Sequence, residues 1–268
     1  MRKIVSLALA VLLLGTMVFT VLSCKKDKNA GKLVCGVTEF EPMNYRDSGG
    51  KWTGFDTELA LLVGQKLGLQ VDFQEIEWAA KYQELEAGTI NCIWNGFTAN
   101  ANEKDGTKRS DLVDFSYSYL LNQQCVVVKT ERAGEFRSVD SLAGKTAAAE
   151  SGSAGESFAK DAIGNGRIVG SPAQINTFME VKSGAVDFAV IDILLAQKMA
   201  GKGDYTDLRI ADIVLDNEVY AVGFKKGSDL RDKVNKALKE LYDEGKMLEL
   251  AKKYKLEDSL LLDTNFRG

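Results

Sequence analysis

An α/β fold with mainly parallel sheets is the architecture this sequence predicts. Short apolar, strand-like runs alternate with helix-period stripes from Lys32 almost to the C-terminus, the order that builds βαβ units. The chain has 268 residues, 45% of them hydrophobic and 27% charged, enough to fill the cores of one large domain or two lobes. Neither a Gly-x-Gly-x-x-Gly nor a complete Gly-x4-Gly-Lys-Ser/Thr loop is present (Gly144-Lys145-Thr146 has Val139 where the first Gly belongs), so dinucleotide and nucleoside-triphosphate folds have no support.

Residues 1–24 read as an export signal. Arg2 and Lys3 precede an almost wholly apolar run over residues 4–22, and Val21-Leu22-Ser23 lead into Cys24. A Cys at the cleavage point makes the segment resemble a bacterial lipoprotein signal, in which the thiol is lipidated and becomes the new N-terminus. The alternative is an uncleaved span, for which the apolar run is just long enough. The polar residues 25–31 favour a tether behind a lipid anchor. On either reading the rest of the chain works outside the cytoplasm, held to a membrane.

Residues 33–37 read as a buried strand. Residues 54–67 carry a helical stripe at Leu59, Leu62, Val63 and Leu67, and residues 71–76 alternate like a half-buried strand. A helix over 79–87 stops at Gly88, and 90–94 is the next strand. Residues 125–128 form a strand, 138–142 a helical turn, and 146–149 a strand running into Ser151-Gly152-Ser153-Ala154-Gly155. A helix follows over 156–163. Ser171-Pro172 supplies the cap and first-turn Pro of another, ending at Lys182. Strands over 186–191 and 220–224 and helices over 229–242 and 246–254 complete the series.

Absences narrow the chemistry. The chain has no His, which removes the usual general base, most zinc sites and every Ser-His-Asp arrangement. A net charge of -4, with Lys and Glu interspersed, gives no electrostatic case for nucleic acid. No cofactor or metal is expected. After residue 24 no apolar run approaches the ~18 residues of a second span. Cys35, Cys92 and Cys125 are an odd set, unlike a disulfide framework. Cys35 and Cys92 sit in strand-like runs and read as buried thiols, with one bond between neighbouring strands as the alternative.

Several segments, taken in order, resemble a known family. They are Gly36-Val37-Thr38-Glu39-Phe40-Glu41-Pro42-Met43, Gly54-Phe55-Asp56, Trp78, and Trp94-Asn95-Gly96-Phe97-Thr98. Val113-Asp114-Phe115-Ser116, Glu150-Ser151-Gly152-Ser153, residues 186–192 and residues 227–234 extend the match. Together they resemble the solute-binding proteins of polar amino acid ABC importers over most of residues 32–256. The resemblance implies a two-lobe, periplasmic-binding-protein-like (type II) fold with ligand in the cleft. Hinge crossings would fall at residues 121–124 and 217–220. Lobe 1 would be residues 32–120 plus 221–268, and lobe 2 residues 125–216.

The same resemblance supplies the site. A zwitterionic ligand needs a matched partner for each charge once water leaves. Arg109, with Thr98, would hold the carboxylate, assisted by Ser153 and the amides of Ala154 and Gly155 at a helix start. Asp192 would take the ammonium, with the carbonyl of Asn95 or Gly96. Phe40 and Trp78 would stand on either side of the carbon chain, with Glu39 beside them. Read from the residues alone, Phe40 and Trp78 suit plain core aromatics, Ser153 and Asp192 suit helix caps, and Arg109 suits a surface charge. Arg109 departs from the family spacing after Thr98, which implies a six-residue insertion within residues 99–108. Glu150 replaces the Lys or Gln of several relatives. With Glu39 and Glu41 it hints at an acidic pocket suited to basic side chains, whereas residues 94–98 resemble cystine-type binders.

The function implied is non-enzymatic: capture of a polar amino acid by hinge closure and delivery to a membrane permease, by a monomer anchored through Cys24. Two other readings share the scaffold. One is a periplasmic dehydratase, which would have to use Glu39, Glu41 or Glu150 as its acid or base. The other is a ligand sensor that reports to a chemoreceptor.

Overall fold

The computed structural model describes Asn29 and residues 31–266; Cys24, the signal and most of the tether lie outside the described residues. The chain opens with β1 (Lys32–Val37), buried from its second residue on. A small hairpin, β2 (Tyr45–Arg46) and β3 (Trp52–Thr53), leads to α1 (Phe55–Leu67). Next come β4 (Gln70–Glu75), a 3-10 turn at Trp78–Ala80, α2 (Lys81–Ala87) and β5 (Cys92–Ile93). Gly88 closes α2 in the left-handed conformation, the stop signal read from the sequence. A short α3 (Arg109–Leu112) and β6 (Asp114–Phe115) precede the long β7 (Ser118–Lys129).

A second series runs β8 (Thr146–Glu150), α4 (Ala154–Ile163), β9 (Arg167–Ser171), α5 (Gln174–Ser183), β10 (Phe188–Asp192), α6 (Ile193–Met199) and β11 (Leu208–Ile210). The chain returns through β12 (Asn217–Tyr220) and β13 (Gly223–Phe224). It ends in α7 (Asp229–Asp243), α8 (Lys246–Tyr254) and β14 (Leu260–Asp263). Among the described residues, no helix is long and apolar enough to cross a membrane.

Besides the β2–β3 hairpin, two larger sheets result, ordered β4-β1-β5-β13-β6 and β11-β7-β10-β8-β9, the second with β12 and β14 added on β7. Their centres are parallel, β4 with β1 and β5, and β10 with β8 and β9. Strand β13 pairs antiparallel with β5 and β6, and β7 antiparallel with β10 and β11. The molecule therefore has two α/β lobes, and β7 lies in the second sheet with extra partners at its start. Its early residues pair with β12, from Leu120↔Tyr220 to Gln123↔Asn217, and its later ones with β10 and β11. The β7–β12 pairing forms a ribbon that β14 joins at Ser118 and Leu120.

Apolar burial follows the strands: one cluster runs from Leu33, Cys35 and Phe55 through Tyr119 and Leu120 to Ala148, Phe178 and Ile191. Cys35 and Cys92 face each other across β1 and β5 as buried thiols, Sγ atoms 3.6 Å apart, and Cys125 is a third buried thiol. Burial pushes the Cys35 thiol well above its ordinary range, which keeps it protonated.

Two sequence expectations are corrected. Ser171 does not cap α5; it ends β9, pairs with Glu150 in β8 and donates to Glu180 Oε2 at 2.8 Å. Sheet pairing overrides the local Ser-Pro signal, and the helix begins at Gln174 behind Ala173, which offers no side-chain cap. The strand expected over 220–224 is two strands, because the chain passes from the ribbon into the first sheet between Tyr220 and Gly223.

Candidate functional site: the interlobe cleft

The segment after β5 is held by buried polar contacts. Asn95 donates to the Thr38 carbonyl at 3.0 Å and accepts from the Thr38 hydroxyl at 2.7 Å, tying the ends of β1 and β5 together. Gly96 has φ +54, and its N–H donates to Asp56 Oδ2 at 2.7 Å. A Cβ there would lie 2.4 Å from the Phe40 ring, so only glycine lets Phe40 lie against this turn. Phe40 meets Tyr220 edge-on, and Trp78 meets Phe97 edge-on with centroids 5.4 Å apart. Burial pushes Asp56 up to about 7, against the pull of the Gly96 and Tyr119 donors.

Arg109 is 1% exposed, and the reading of it as a surface charge is corrected. Its Nε donates to Glu103 Oε1 at 2.9 Å, Nη1 to the Thr98 carbonyl at 3.0 Å, and Nη2 to the Gly152 carbonyl at 3.4 Å. Its guanidinium also stands over Phe97. Lys81, equally buried, donates to the same Gly152 carbonyl at 2.9 Å and lies 3.7 Å from Glu103. Burial, reinforced by the Arg109 charge, lowers Lys81 to about 8. Glu103 also accepts from the Tyr82 hydroxyl at 2.6 Å. One carboxylate of the 99–108 loop thus serves two buried cations and a phenol.

The opposite wall is built by the second sheet. Ser153 caps α4, accepting from the Glu156 N–H at 3.0 Å, and Ala154 is the first helical residue. Asp192 precedes α6 but does not cap it with its side chain, as had been one reading. Its carboxylate turns into a buried network instead: Oδ1 accepts from Asn122, Gln124 and Tyr220, and Oδ2 from Gln174. Glu218, on β12, accepts from Thr98 at 3.0 Å, Asn122 at 2.8 Å and Gln124 at 2.9 Å. Burial, then the Asp192 charge, pushes Glu218 up to about 7 and Glu150 up to about 8. A cavity of 470 Å³ opens beside this network, lined among others by Glu103, Lys104, Ala154, Ser157, Lys160 and Glu218.

The fold thus gathers Thr98, Arg109, Ser153, Ala154 and Asp192 near Gly152 and the β7–β12 ribbon, and Asn95, Gly96, Phe40 and Trp78 are buried. Glu39 does not join. It is half-exposed and pairs with Arg46, while Glu41 pairs with Lys198. Sequence reasoning missed Lys81, Glu103, Asn122, Gln124, Gln174 and Glu218. The one local signal was Lys81, three residues after Trp78 and so on the same helical face.

The profile of the bacterial extracellular solute-binding proteins, family 3, matches residues 33–257. The chain belongs to this family. The L-cystine-binding protein TcyA of Bacillus subtilis is 29% identical over 234 residues, 86% of this chain and 84% of its own. The arginine-binding extracellular protein ArtP of the same organism is 29% identical over 227 residues, 83% and 86% respectively. A solved substrate-binding protein of an ABC uptake transporter from Streptococcus pneumoniae, with bound histidine, superposes with TM-score 0.77 at 30% identity, covering 88% of this chain and 97% of that one. Relatives within this solute-binding family thus take different side chains at similar identity.

Proposed function

We propose that the protein is the extracytoplasmic binding component of an ABC importer, which captures a polar amino acid between its lobes and delivers it to a membrane permease. The observation that carries this reading is a guanidinium with unused donors and a carboxylate with an unused acceptor, held on opposite walls of one cleft. Arg109 has five N–H groups, and three are engaged by Glu103, Thr98 and Gly152. Each terminal nitrogen keeps one N–H for two-point contact with a carboxylate. Asp192 takes three of its four donors on Oδ1, so Oδ2 retains a lone pair for an ammonium. The Thr98 backbone N–H and the amides at the start of α4 add donors for the carboxylate, the Asn95 or Gly96 carbonyl an acceptor for the ammonium, and Phe40 and Trp78 apolar walls. The related proteins described above are binding proteins, which supports a non-enzymatic role.

We take residues 32–120 and 221–268 as lobe 1, residues 125–216 as lobe 2, and the β7–β12 ribbon as the hinge. A ligand held from both walls favours the closed form by its differential affinity for that state. The 99–108 loop assists, since Lys104 pairs with Glu156 at 3.4 Å and Lys160 donates to the Lys104 carbonyl at 2.6 Å, both across the cleft mouth. Half-exposed pairs of this kind contribute about 0.2–1 kcal/mol each. Replacing Lys104 and Lys160 by Ala together is therefore expected to speed ligand release about two- to five-fold, with little change in association. Stopped-flow fluorescence checks this; unchanged release removes the loop from closure.

Anchoring is assigned to Cys24, outside the described residues. Cys24→Ala is expected to abolish lipid attachment and the cut before residue 24, read as loss of radiolabelled fatty acid and a larger, uncleaved chain on blotting. Cells lacking the protein should lose uptake of one or a few amino acids and recover it with the wild-type chain, acting as a monomer with its permease. Unchanged uptake of every amino acid contradicts the importer reading.

A further inference from the structure

We propose that Glu150 discriminates the ligand's side chain, and that the cleft selects an α-amino acid whose side chain ends in a cationic, N–H-rich group, a guanidinium or an ammonium. This rests on the amino-acid-binding reading above and names the substrate class within it.

Hydrogen-bond capacity in the cleft is unbalanced in one direction. Glu150 is 3% exposed, stands at the end of β8, and its Oε1 has no hydrogen-bond partner. Asn122 Oδ1 and Gln124 Oε1, on the ribbon beside Asp192, are buried and unpartnered as well. All three are acceptors. Apart from the Arg109 N–H groups left for the ligand's carboxylate, the nearby donors are directed elsewhere: Lys81 to Gly152, the amide nitrogens of Asn122 and Gln124 to Asp192 and Glu218, and the Gln174 nitrogen to Asp192. Charge leans the same way. Two buried cations, Lys81 and Arg109, face four acidic side chains, Glu103, Glu150, Asp192 and Glu218, and since burial holds Glu150 at about 8 and Glu218 at about 7, a further cation supplies the charge that ionises them.

A buried acceptor without a donor is strongly unfavourable, most of all on a carboxylate. A guanidinium or ammonium brings donors only and meets this need without adding an acceptor. A carboxamide side chain brings an oxygen that must face the same carboxylates, and an aliphatic one leaves all three oxygens unmatched. Because Lys81 is already directed to Gly152 and Glu103, it does not occupy the unmatched oxygen of Glu150.

The test is calorimetric titration of the purified full chain, freed of bound ligand by unfolding and refolding, with arginine, lysine, histidine, glutamine, glutamate and cystine. Arginine or lysine is expected to bind at least ten-fold tighter than glutamine, glutamate or cystine. In Glu150→Gln that preference should collapse: affinity for the cationic ligand falls at least ten-fold, while affinity for glutamine changes less than three-fold. Circular dichroism confirms that the variant is folded, and the wild-type ranking stands as a test by itself.

A pH series adds a second readout. Burial and the Asp192 charge raise Glu150, against the pull of Lys81, Gln174 and Arg109; burial and Asp192 raise Glu218, against Gln124, Asn122 and Thr98. A bound cation favours both ionised forms, so the free protein holds more protons, and affinity should rise about three- to ten-fold from roughly pH 6 to pH 7.5. Glutamine or cystine binding tighter than both arginine and lysine overturns the substrate class. Equal losses for every ligand in Glu150→Gln overturn the role of Glu150. Binding of no amino acid at all overturns the receptor reading with it.

Discussion

Arg109→Ala is expected to weaken amino-acid binding by roughly a hundred- to several-hundred-fold, about 3–4 kcal/mol. The size follows from burial. The guanidinium is 1% exposed and fixed from three directions, so it meets a carboxylate without reordering itself. Removing it also strands Glu103 beside Lys81, which adds a stability loss that must be separated from the binding loss. Arg109→Lys separates them, since it keeps the charge and loses the planar fork. That variant should melt near the wild-type temperature and still bind at least ten-fold more weakly. Titration calorimetry with melting curves on both variants decides the matter; wild-type affinity in either one removes Arg109 from carboxylate recognition.

Asp192→Ala carries the second large effect, and it divides between folding and binding. Four donors converge on this carboxylate, from β7, α5 and β12. Stranding buried donors costs about 1–3 kcal/mol each, and relaxation toward Glu218 returns part, so a net loss of about 2–4 kcal/mol is expected. For a chain of this size that lowers the melting temperature by roughly 5–12 °C. Binding should weaken by more than ten-fold, because Oδ2 and the charge that attracts the ammonium both disappear. Asp192→Asn keeps the shape and much of the network. A ten-fold binding loss there, with a small melting shift, assigns the charge to ligand; wild-type affinity in both variants confines Asp192 to the hinge.

The parts of the fold that were legible in the sequence are those set by short-range chemistry. The burial stripe of α1, the Gly88 stop and the run into Ser153 at the start of α4 are all written within a turn or two of themselves. Strand β7 was only half visible, as residues 125–128. Its first half mixes Asn122 and Gln123 with Leu120 and Leu121, since there it pairs with β12 in the ribbon rather than lying in an apolar sheet. Ser171-Pro172 misled because sheet pairing with Glu150 outweighs a local cap.

In the site, Thr98, Arg109 and Asp192 could be found from ordered motifs. Glu103 and Glu218 could not, and Lys81 only through its spacing from Trp78, because isolated charged residues read as surface until the fold brings residues 22 to 137 positions apart into one cluster. Asn122, Gln124 and Gln174 were invisible for the same reason: an amide in a strand or helix gives no local sign that it will face a buried carboxylate.

The most direct measurement is a thermal-shift screen of the ligand-stripped protein against the twenty amino acids, cystine, ornithine and citrulline. A stabilisation of about 3–4 kcal/mol is expected for one or a few compounds at hundreds of times their dissociation constants, with no response from the rest. A flat response to every compound, from protein that remains folded, would contradict amino-acid capture by this cleft.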